Sequence, residues 1–509
     1  MGKTGVKSRL NFKFLVMKEI FVISLLIFSL NIFSQFEEEV NLMNWLPEQQ
    51  ISSYPNEDSR YARMVIDSAN TLHLVYCDDI PYLSPYGQKI IYKQKTENGS
   101  WSEGMIVCDF DGTDVNNQYP DIAVAENGDI HIVFRHTVVG EPEYIAHSFY
   151  NAQTGIWSQE NISDVNTIDL FPYPKISTTF DNRPIACWED DILDGTNSNA
   201  YFSYFNDTIW SPPILLGRND DKKSYLTQII SLENHTSMIC FAEVSTDGNY
   251  DELYYQIFNE DSNTLSEIKI IPTVNIPQNT YLFNYALARS KTDNFLILAY
   301  NLNDTIYTLK YDIAEDEFLQ TNHTISTNGG AYILQKILDI TCDNNGLFHI
   351  PFAQNNVNGL YYVNYDVNFG FGSIETINNF TNIDKPSIVC DNNNNLHLIY
   401  CDDRNDTNED NYIDREVYYT SLDLSTKINK NNNIAYLRIY PNPAKEFFIL
   451  ESENKINKID IFDITGKFVK TVKIDDLISK IDISDLNHAV YFVKIIVNGN
   501  YYFRKIIKN

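Results

Sequence analysis

The feature that most constrains the fold of this chain is an internal repeat in its middle part. Each copy has a short apolar strand, a turn of Asp, Asn or Gly, a second strand of the type LHLVY, a polar loop and a Tyr-rich third strand. Seven copies can be aligned. His73 and His397 hold the same place in the first and last copies, so 324 residues divide into six intervals of about 54. Repeats of this length with about four strands each are typical of β-propeller blades.

The composition agrees with a fold made of strands. The chain is 43% hydrophobic and 13% aromatic, with 34 Tyr and 29 Phe, so it has enough apolar material for a large core. The repeats lack the 3.6-residue periodicity that a helical solenoid requires. The sequence therefore predicts an all-β protein, in which a seven-bladed β-propeller (36–425) is followed by a small Ig-like β-sandwich.

The repeats resemble the blades of BNR-like, sialidase-like propellers. The segments TENGSW (96–101) and NAQTGIW (151–157) are degraded forms of the turn that joins the third and fourth strands in those blades. The resemblance implies an arginine triad, a Tyr/Glu nucleophile pair and an acidic residue if the chain is a sialidase. The arginine signature of that family is missing, and Arg135 and Arg404, which follow second strands, have no evident third partner.

Four histidines recur at the same place in the second strand, namely His73, His131, His349 and His397. Neighbouring blades pack about 10 Å apart, whereas metal–nitrogen bonds are about 2 Å long, so one ion cannot gather them. We expect these histidines to be hydrogen-bonded packing residues.

An acidic loop in the seventh copy has the spacing of calcium ligands. Asp406, Asn408 and Asp410 alternate and are followed by Tyr412 and Asp414, a pattern that wraps oxygen ligands around one ion. The closing bidentate Glu is missing, because the twelfth position is Val417. The sequence predicts a calcium site at these residues, with a solvated acidic loop as the alternative.

Charge and cysteine content exclude several classes of protein. The formal net charge of −30 opposes binding to nucleic acid or to anionic lipid. Seven cysteines spread over 509 residues form no disulfide framework, and there is no CxxC pair. No phosphate-binding Gly-rich loop, nucleophile elbow or HExxH motif is present.

The N-terminal residues indicate export. An apolar run from Ile20 to Phe33 follows a basic segment and precedes Ser34-Gln35, which is typical of a secretory signal. We predict a signal peptide over 1–34, with Met17 as an alternative start. An uncleaved membrane anchor is the other interpretation.

The last 74 residues, 436–509, follow a polar linker at 426–435. They contain YPNPA (440–444), the hairpin IFDITGK (461–467), the strand YFVKI (491–495) and a basic end. This combination resembles the type A C-terminal sorting domain of the type IX secretion system, although Ala489-Val490 replaces the expected Gly. The resemblance implies passage through the outer membrane and contact with the secretion machinery.

Together these features predict a secreted or surface-attached protein. We expect its propeller to be a monomeric, non-catalytic binding or adhesion module for glycans or proteins. The alternative is a sialidase-like glycoside hydrolase on the same scaffold.

Overall fold

The computed structural model of the chain describes most of its residues. These are residues 45–52, 58–79, 87–108, 115–138, 143–163, 173–190, 199–217, 224–232, 234–244, 250–277, 284–302, 305–327, 338–353, 359–380, 383–406, 414–424, 437–463, 467–497 and 500–509. The predicted signal peptide lies outside them. The chain divides into two compact units, Met1–Asp423 and Leu424–Asn509.

The described residues of the first unit form seven antiparallel sheets. The first four sheets contain β2 (Arg60–Ile66), β3 (Leu72–Asp79), β4 (Gln88–Lys95) and β5 (Met105–Ile106); β6 (Val115–Val124), β7 (Ile130–Val138), β8 (Tyr144–Asn151) and β9 (Ile156–Asn161); β10 (Lys175–Thr178), β11 (Pro184–Asp190), β12 (Asn199–Tyr204) and β13 (Ile214–Leu215); and β14 (Ser224–Leu232), β15 (Thr236–Val244), β16 (Tyr250–Asn259), β17 (Thr264–Leu265) and β18 (Lys269–Pro277).

The other three sheets follow the same order. They contain β19 (Asn284–Arg289), β20 (Phe295–Leu302), β21 (Thr305–Asp312) and β22 (Glu317–Ser326); β23 (Thr341–Cys342), β24 (Phe348–Ala353), β25 (Leu360–Asp366), β26 (Gly370–Phe371) and β27 (Glu375–Asn378); and β28 (Asp384–Cys390), β29 (Asn395–Asp402), β30 (Glu416–Asp423) and the N-terminal β1 (Gln49–Gln50).

The seven sheets close into a ring. The innermost strands β2, β6, β10, β14, β19, β23 and β28 each contact the next one, and β28 contacts β2. Strand β1 pairs with β30, with Gln49 opposite Tyr419, so residues from the N-terminal side supply the outermost strand of the seventh sheet. The first unit is thus a seven-bladed β-propeller, as the sequence predicts, with a closure in which both ends of its chain share a blade.

The second strands read as continuous apolar runs because both of their faces are buried. Along β3, Leu74 and Tyr76 pack with Ile399 of the seventh blade, whereas Val75 packs with Phe134 of the second blade. A strand inside a stack of sheets therefore needs apolar residues at successive positions rather than at alternate ones. All seven cysteines are buried without a disulfide, as their apolar surroundings suggest.

The recurring histidines belong to hydrogen-bonded units within single blades. His349 Nδ1 lies 2.5 Å from Tyr362 Oη, and His349 Nε2 lies 3.5 Å from Asp343 Oδ2. The same arrangement occurs in two further blades, formed by Asp67, His73 and Tyr92 and by Asp391, His397 and Tyr419. In the second blade His131 instead stacks on His147. Each of the three Asp–His–Tyr units joins the turn after the first strand to the second and third strands.

The second unit contains five strands around one core. They are β31 (Leu437–Tyr440), β32 (Phe447–Asp463), β33 (Phe468–Asp482), β34 (Ala489–Val497) and β35 (Asn500–Lys508). The long β32 pairs with β31 and β33 in its first part and with β33 and β34 in its second part. Phe448 of the first part and Ile459 of the second part contribute to the same buried cluster. The two parts thus face each other across one apolar core.

None of the described residues forms a helix that is long and apolar enough to cross a membrane.

Candidate functional site at the axial end of the propeller

The innermost strands of four blades are bulged at equivalent places. The strand register shifts between Arg60 and Arg63, Gln118 and Asp121, Tyr225 and Gln228, and Asp384 and Ser387. One residue at each bulge has a positive φ, and these residues are Tyr61 (58°), Tyr119 (56°), Leu226 (53°) and Lys385 (40°). A left-handed backbone at a non-glycine residue costs about 1–3 kcal/mol and persists only where surrounding contacts impose it. Bulges also redirect side chains, and they are common next to functional sites.

Two of these bulge residues, Tyr61 and Tyr119, bring their rings together with that of Tyr173 on the N-terminal side of the innermost strands, which we call the axial end. Tyr61 and Tyr119 have ring centres 4.5 Å apart, and Tyr119 and Tyr173 have ring centres 4.6 Å apart. The three tyrosines come from the first, second and third blades. Lys385 of the seventh blade places Nζ 4.3 Å from the Tyr61 ring centre, 5.3 Å from that of Tyr119 and 4.1 Å from that of Tyr173. We call these four residues the tyrosine–lysine cluster.

Burial perturbs the titration of this cluster. Lys385 is 8% exposed, and burial lowers its pKa to about 7. The cationic neighbours Lys175 and Arg63 lower the pKa of Lys385 further, whereas Asp384 opposes the shift. The ring faces of three tyrosines favour the charged ammonium, because a cation over an aromatic face is attracted by the ring quadrupole. Burial also raises the pKa of Tyr61 and Tyr173, so both phenols stay protonated.

The arginines around the cluster are engaged with protein groups. Arg60 Nη1 lies 3.1 Å from Asp58 Oδ2, and Arg415 Nη1 lies 3.5 Å from the other oxygen of that carboxylate. Arg135 donates through Nε to Glu143 at 2.7 Å and through Nη1 to Gln118 at 3.1 Å. These guanidinium groups hold the loops of the axial end in place.

A polar cavity of about 180 Å³ lies between the innermost strands. Arg63 spans it, with Nε 3.1 Å from Asp121 and Nη1 3.7 Å from Asp339. Asp121 Oδ2 accepts from the Ile176 N–H, and Asp339 Oδ2 accepts from the Ile388 N–H, both at 3.0 Å. These bonds tie the second blade to the third and the sixth blade to the seventh, so the charged groups along the axis fix the ring.

Arg404, one of the two arginines that follow second strands in the sequence, is bound by protein groups. Its guanidinium lies 3.6 Å from the ring centre of Phe380 and 3.8 Å from that of Tyr418. It forms ion pairs with Asp402 and with Glu48 of the N-terminal segment. Arg404 therefore secures the closure of the ring.

The predicted calcium loop is only partly described, since Asn408, Asp410 and Tyr412 lie outside the described residues. The Asp406 backbone N–H donates to the Asp403 carbonyl at 3.0 Å, and Asp406 Oδ1 is buried without a hydrogen-bond partner among the described residues. At the other end of the loop, burial raises the pKa of Glu416 to about 7, and the nearby Asp78 and Asp414 carboxylates add to this effect. The calcium site stays a prediction.

The tyrosine–lysine cluster does not appear among the predicted site residues, although the sequence contains a sign of it. In the second, third and seventh copies a residue of the cluster stands directly before a proline of the innermost-strand segment, as Tyr119-Pro120, Tyr173-Pro174 and Lys385-Pro386. The first copy has Tyr61-Ala62 at that place. The repeat alignment begins at the prolines, so it omits the residues whose side chains converge.

Comparison with known proteins identifies the C-terminal unit. Residues 438–509 match the family model of the secretion system C-terminal sorting domain. No curated protein matches the sequence of the chain.

Solved structures resemble the chain only distantly. The Hadza microbial sialidase Hz136 has 14% identity and a TM-score of 0.42, over 58% of this chain and 63% of that chain. The K499G mutant of NanB sialidase from Streptococcus pneumoniae has 12% identity and a TM-score of 0.43, over 76% and 72% of the two chains. PorZ, a surface component of the type IX secretion system of Porphyromonas gingivalis, has 12% identity and a TM-score of 0.41, over 91% and 61%.

The chain spans 63% of the length of the microbial sialidase. The closed ring of sheets establishes the fold of the first unit. The C-terminal unit indicates where the protein is exported. A sorting domain of this kind directs export to the cell surface or the extracellular space. Residues 438–509 are therefore a C-terminal sorting domain of the type IX secretion system, and the chain is an exported protein of that system that carries a seven-bladed β-propeller.

Proposed function

We propose that the exported propeller is a non-catalytic binding module, and that its ligand is a glycan that docks at the axial end on the tyrosine–lysine cluster. The observation that carries this proposal is the convergence of three tyrosine rings from three successive blades, with the amine of Lys385 against them. Binding sites combine aromatic surface with a few convergent polar groups, and this cluster offers both.

The cluster suits a sugar better than an extended apolar ligand. Tyr61 and Tyr173 are half-buried, so part of each side chain remains accessible, whereas Tyr119 is buried. Tyrosine can supply apolar contact and a hydrogen bond at the same time, which matches a sugar with apolar C–H faces and hydroxyl edges. Lys385 adds a donor for a hydroxyl or carboxylate group.

Two observations favour binding over sialidase-like catalysis. A sialidase requires arginines that are free to hold the substrate carboxylate, whereas Arg60, Arg135 and Arg415 already pair with protein carboxylates. A tyrosine nucleophile needs help to lose its proton, whereas burial raises the pKa of Tyr61 and Tyr173. Glycoside hydrolase activity is the alternative function, so the binding experiment should also measure the release of sugar.

We also propose that calcium binds the loop from Asp406 to Asp414. The buried Asp406 Oδ1 without a hydrogen-bond partner supports this proposal. The carboxylates near Asp414 support it too, since the negative charge of Asp414 acts on both Asp79 and Glu416. A divalent cation would relieve this repulsion. Calorimetric titration of calcium into the wild type and Asp406→Asn tests the site, with Asp129→Asn, a half-buried position in a turn of the second blade, as a control.

A glycan array tests the proposed ligand class. We expect wild-type protein to bind a defined set of glycans, and the Tyr61→Ala, Tyr173→Ala double variant to lose that binding. Tyr150→Ala is the matched control, because Tyr150 is also half-buried but lies at the opposite end of its blade. Binding to proteins but not to glycans, or sugar release from glycoconjugates, would overturn the proposal.

A further inference from the structure

A second cluster lies at the end of the propeller opposite the axial end, where the turns of the third and fourth blades meet. Asp181 is in the turn between β10 and β11, His235 is in the turn between β14 and β15, and Asp261 follows β16. His235 Nδ1 lies 3.2 Å from Asp261 Oδ1 and 3.8 Å from Asp181 Oδ2. One ligand atom from each residue lies within 4.8 Å of the others. We infer that these three side chains bind a divalent transition-metal ion such as Zn²⁺.

The histidine distinguishes this cluster from an ordinary acidic surface. His235 Nδ1 is inaccessible to solvent and has no hydrogen-bond partner in the described part of the chain, although two carboxylates lie close to it. A buried ring nitrogen without a partner is costly, because it loses its water without gaining a protein group. Coordination to a cation would satisfy this nitrogen and would neutralise the two carboxylates. Within the described residues, neither carboxylate has a lysine or arginine partner.

Hydrogen bonds fix the three turns relative to one another. Glu260 is 1% exposed, and its carboxylate accepts from the Phe180 N–H at 2.9 Å and from Ser237 Oγ at 2.8 Å. The Glu260 N–H donates to the His235 carbonyl at 2.9 Å, and Arg183 Nη2 donates to the Glu260 carbonyl at 2.7 Å. Residues next to all three ligands are thus linked across two blades, so the ligand backbones are held in place before an ion arrives.

The imidazole ring has a fixed orientation as well. The centre of the Phe180 ring lies 4.4 Å from the centre of the His235 ring. Metal affinity depends on such support, because a ligand whose ring is already oriented loses little freedom when it coordinates.

The ligand set determines the class of ion. Zinc binds imidazole nitrogen and carboxylate oxygen at about 2.0–2.2 Å, which places ligand atoms about 3.4 Å apart in a tetrahedron. The distance of 3.2 Å from His235 to Asp261 fits, whereas the distance of 3.8 Å to Asp181 is longer, and the Asp181 side chain, which is 53% exposed, must move closer. Imidazole favours zinc and related ions, whereas calcium prefers oxygen ligands alone. Three protein ligands leave one position for water or an external group.

Equilibrium dialysis of the purified chain against micromolar zinc, with elemental analysis, tests this inference. We expect His235→Ala to lower the zinc affinity of this site by at least about tenfold. Loss of a residue that only hydrogen-bonds to a metal ligand already lowers metal affinity about tenfold or more, and His235 is itself a ligand. His488→Ala removes an exposed histidine of the C-terminal unit and serves as the control, with unchanged zinc binding expected. Cobalt absorption spectra report directly on nitrogen coordination.

The Asp181→Asn, Asp261→Asn double variant provides an independent measurement. Both side chains are more than half exposed, so their replacement should preserve the fold if His235→Ala does not. This variant should lose the same zinc ion. The absence of saturable zinc binding by the wild type, or equal binding by the ligand variants, would overturn the inference.

Discussion

Lys385 and Tyr173 belong to the seventh and third blades, yet Lys385 Nζ lies 4.1 Å from the centre of the Tyr173 ring. Lys385 has a positive φ at the bulge of its innermost strand, and its amine lies against tyrosine rings from three other blades. The tyrosine–lysine cluster thus joins blades that are far apart in the sequence and not adjacent in the ring. Its properties follow from burial of the amine among aromatic faces.

Lys385→Met should change the stability of the propeller in a pH-dependent way. Burial lowers the lysine pKa from 10.5 to about 7, so between these pH values the unfolded chain binds more protons and wild-type stability rises with pH. Below pH 7 the buried amine is charged in both states, and its desolvation costs up to about 5 kcal/mol. Cation–π contacts offset about 2 kcal/mol or more.

We therefore expect Lys385→Met to be more stable than the wild type by about 1–3 kcal/mol at pH 6, with a smaller difference at pH 10. Urea unfolding at several pH values measures this difference. A gain in stability that grows as the pH rises would contradict the pKa direction.

The stacked pair of His131 and His147 should make the propeller sensitive to acid. Both residues are 3% exposed, and burial lowers the pKa of each imidazole. The charge of the neighbouring His147 lowers the pKa of His131 further. Below about pH 6.5 a histidine of the unfolded chain takes up a proton, whereas a buried histidine with a lowered pKa does not. The folded state therefore loses stability as the pH falls below this value. Melting temperatures should drop between pH 7 and pH 5.

The His131→Gln, His147→Gln variant should show a weaker drop in melting temperature over the same range, even if it melts lower at pH 7. His488→Gln, at an exposed position, should keep the wild-type pH dependence. Equal pH dependence in all three proteins would exclude a role of the pair.

The histidine–tyrosine hydrogen bonds should contribute more to the free energy of unfolding where they are more deeply buried. Tyr362→Phe removes the hydroxyl group 2.5 Å from Nδ1 of the fully buried His349, so we expect a loss of about 1–3 kcal/mol. Tyr419→Phe makes the same change beside His397, whose side chain is 13% exposed, and water can replace part of the bond. Chemical denaturation of both variants should give the larger loss for Tyr362→Phe, and the reverse order would refute this explanation.

Arg404 should stabilise the closure of the ring. Arg404→Gln leaves Glu48 and Asp402 without their cation, and we expect a loss of about 2–4 kcal/mol because both carboxylates are largely buried. Lys455→Gln removes an exposed ion pair of the C-terminal unit and should change stability by less than about 1 kcal/mol. Limited proteolysis near residues 45–52 should be faster in Arg404→Gln, and unchanged cleavage would argue against this role.

Much of the fold can be predicted from the sequence because the repeat imposes it. The runs around Leu74 and Leu398 show strands that are buried on both faces, and the YPNPA and YFVKI segments identify the C-terminal unit. Strand β1 cannot be predicted in this way, because two residues are too few to show a periodic pattern. Its partner strand β30 is also more than 360 residues away in the sequence.

The candidate site is harder to predict because its residues are defined by bulges. The residues around Tyr61 and Lys385 give no sign in the sequence that the backbone has a positive φ there. The side chains of the cluster also come together only when the whole ring of blades closes. The role of Arg404 is not evident from the sequence either, since its place after a second strand does not show that Phe380 and Tyr418 enclose it.

The most direct test of the account is the affinity of the protein for its best array glycan, measured by isothermal titration calorimetry. The account predicts one saturable site per chain in the wild type and in Tyr150→Ala. In the Tyr61→Ala, Tyr173→Ala variant it predicts an affinity at least about tenfold lower, a loss of about 1.4 kcal/mol or more. Unchanged affinity in that variant, with its fold intact by circular dichroism, would contradict the placement of the ligand at the axial end.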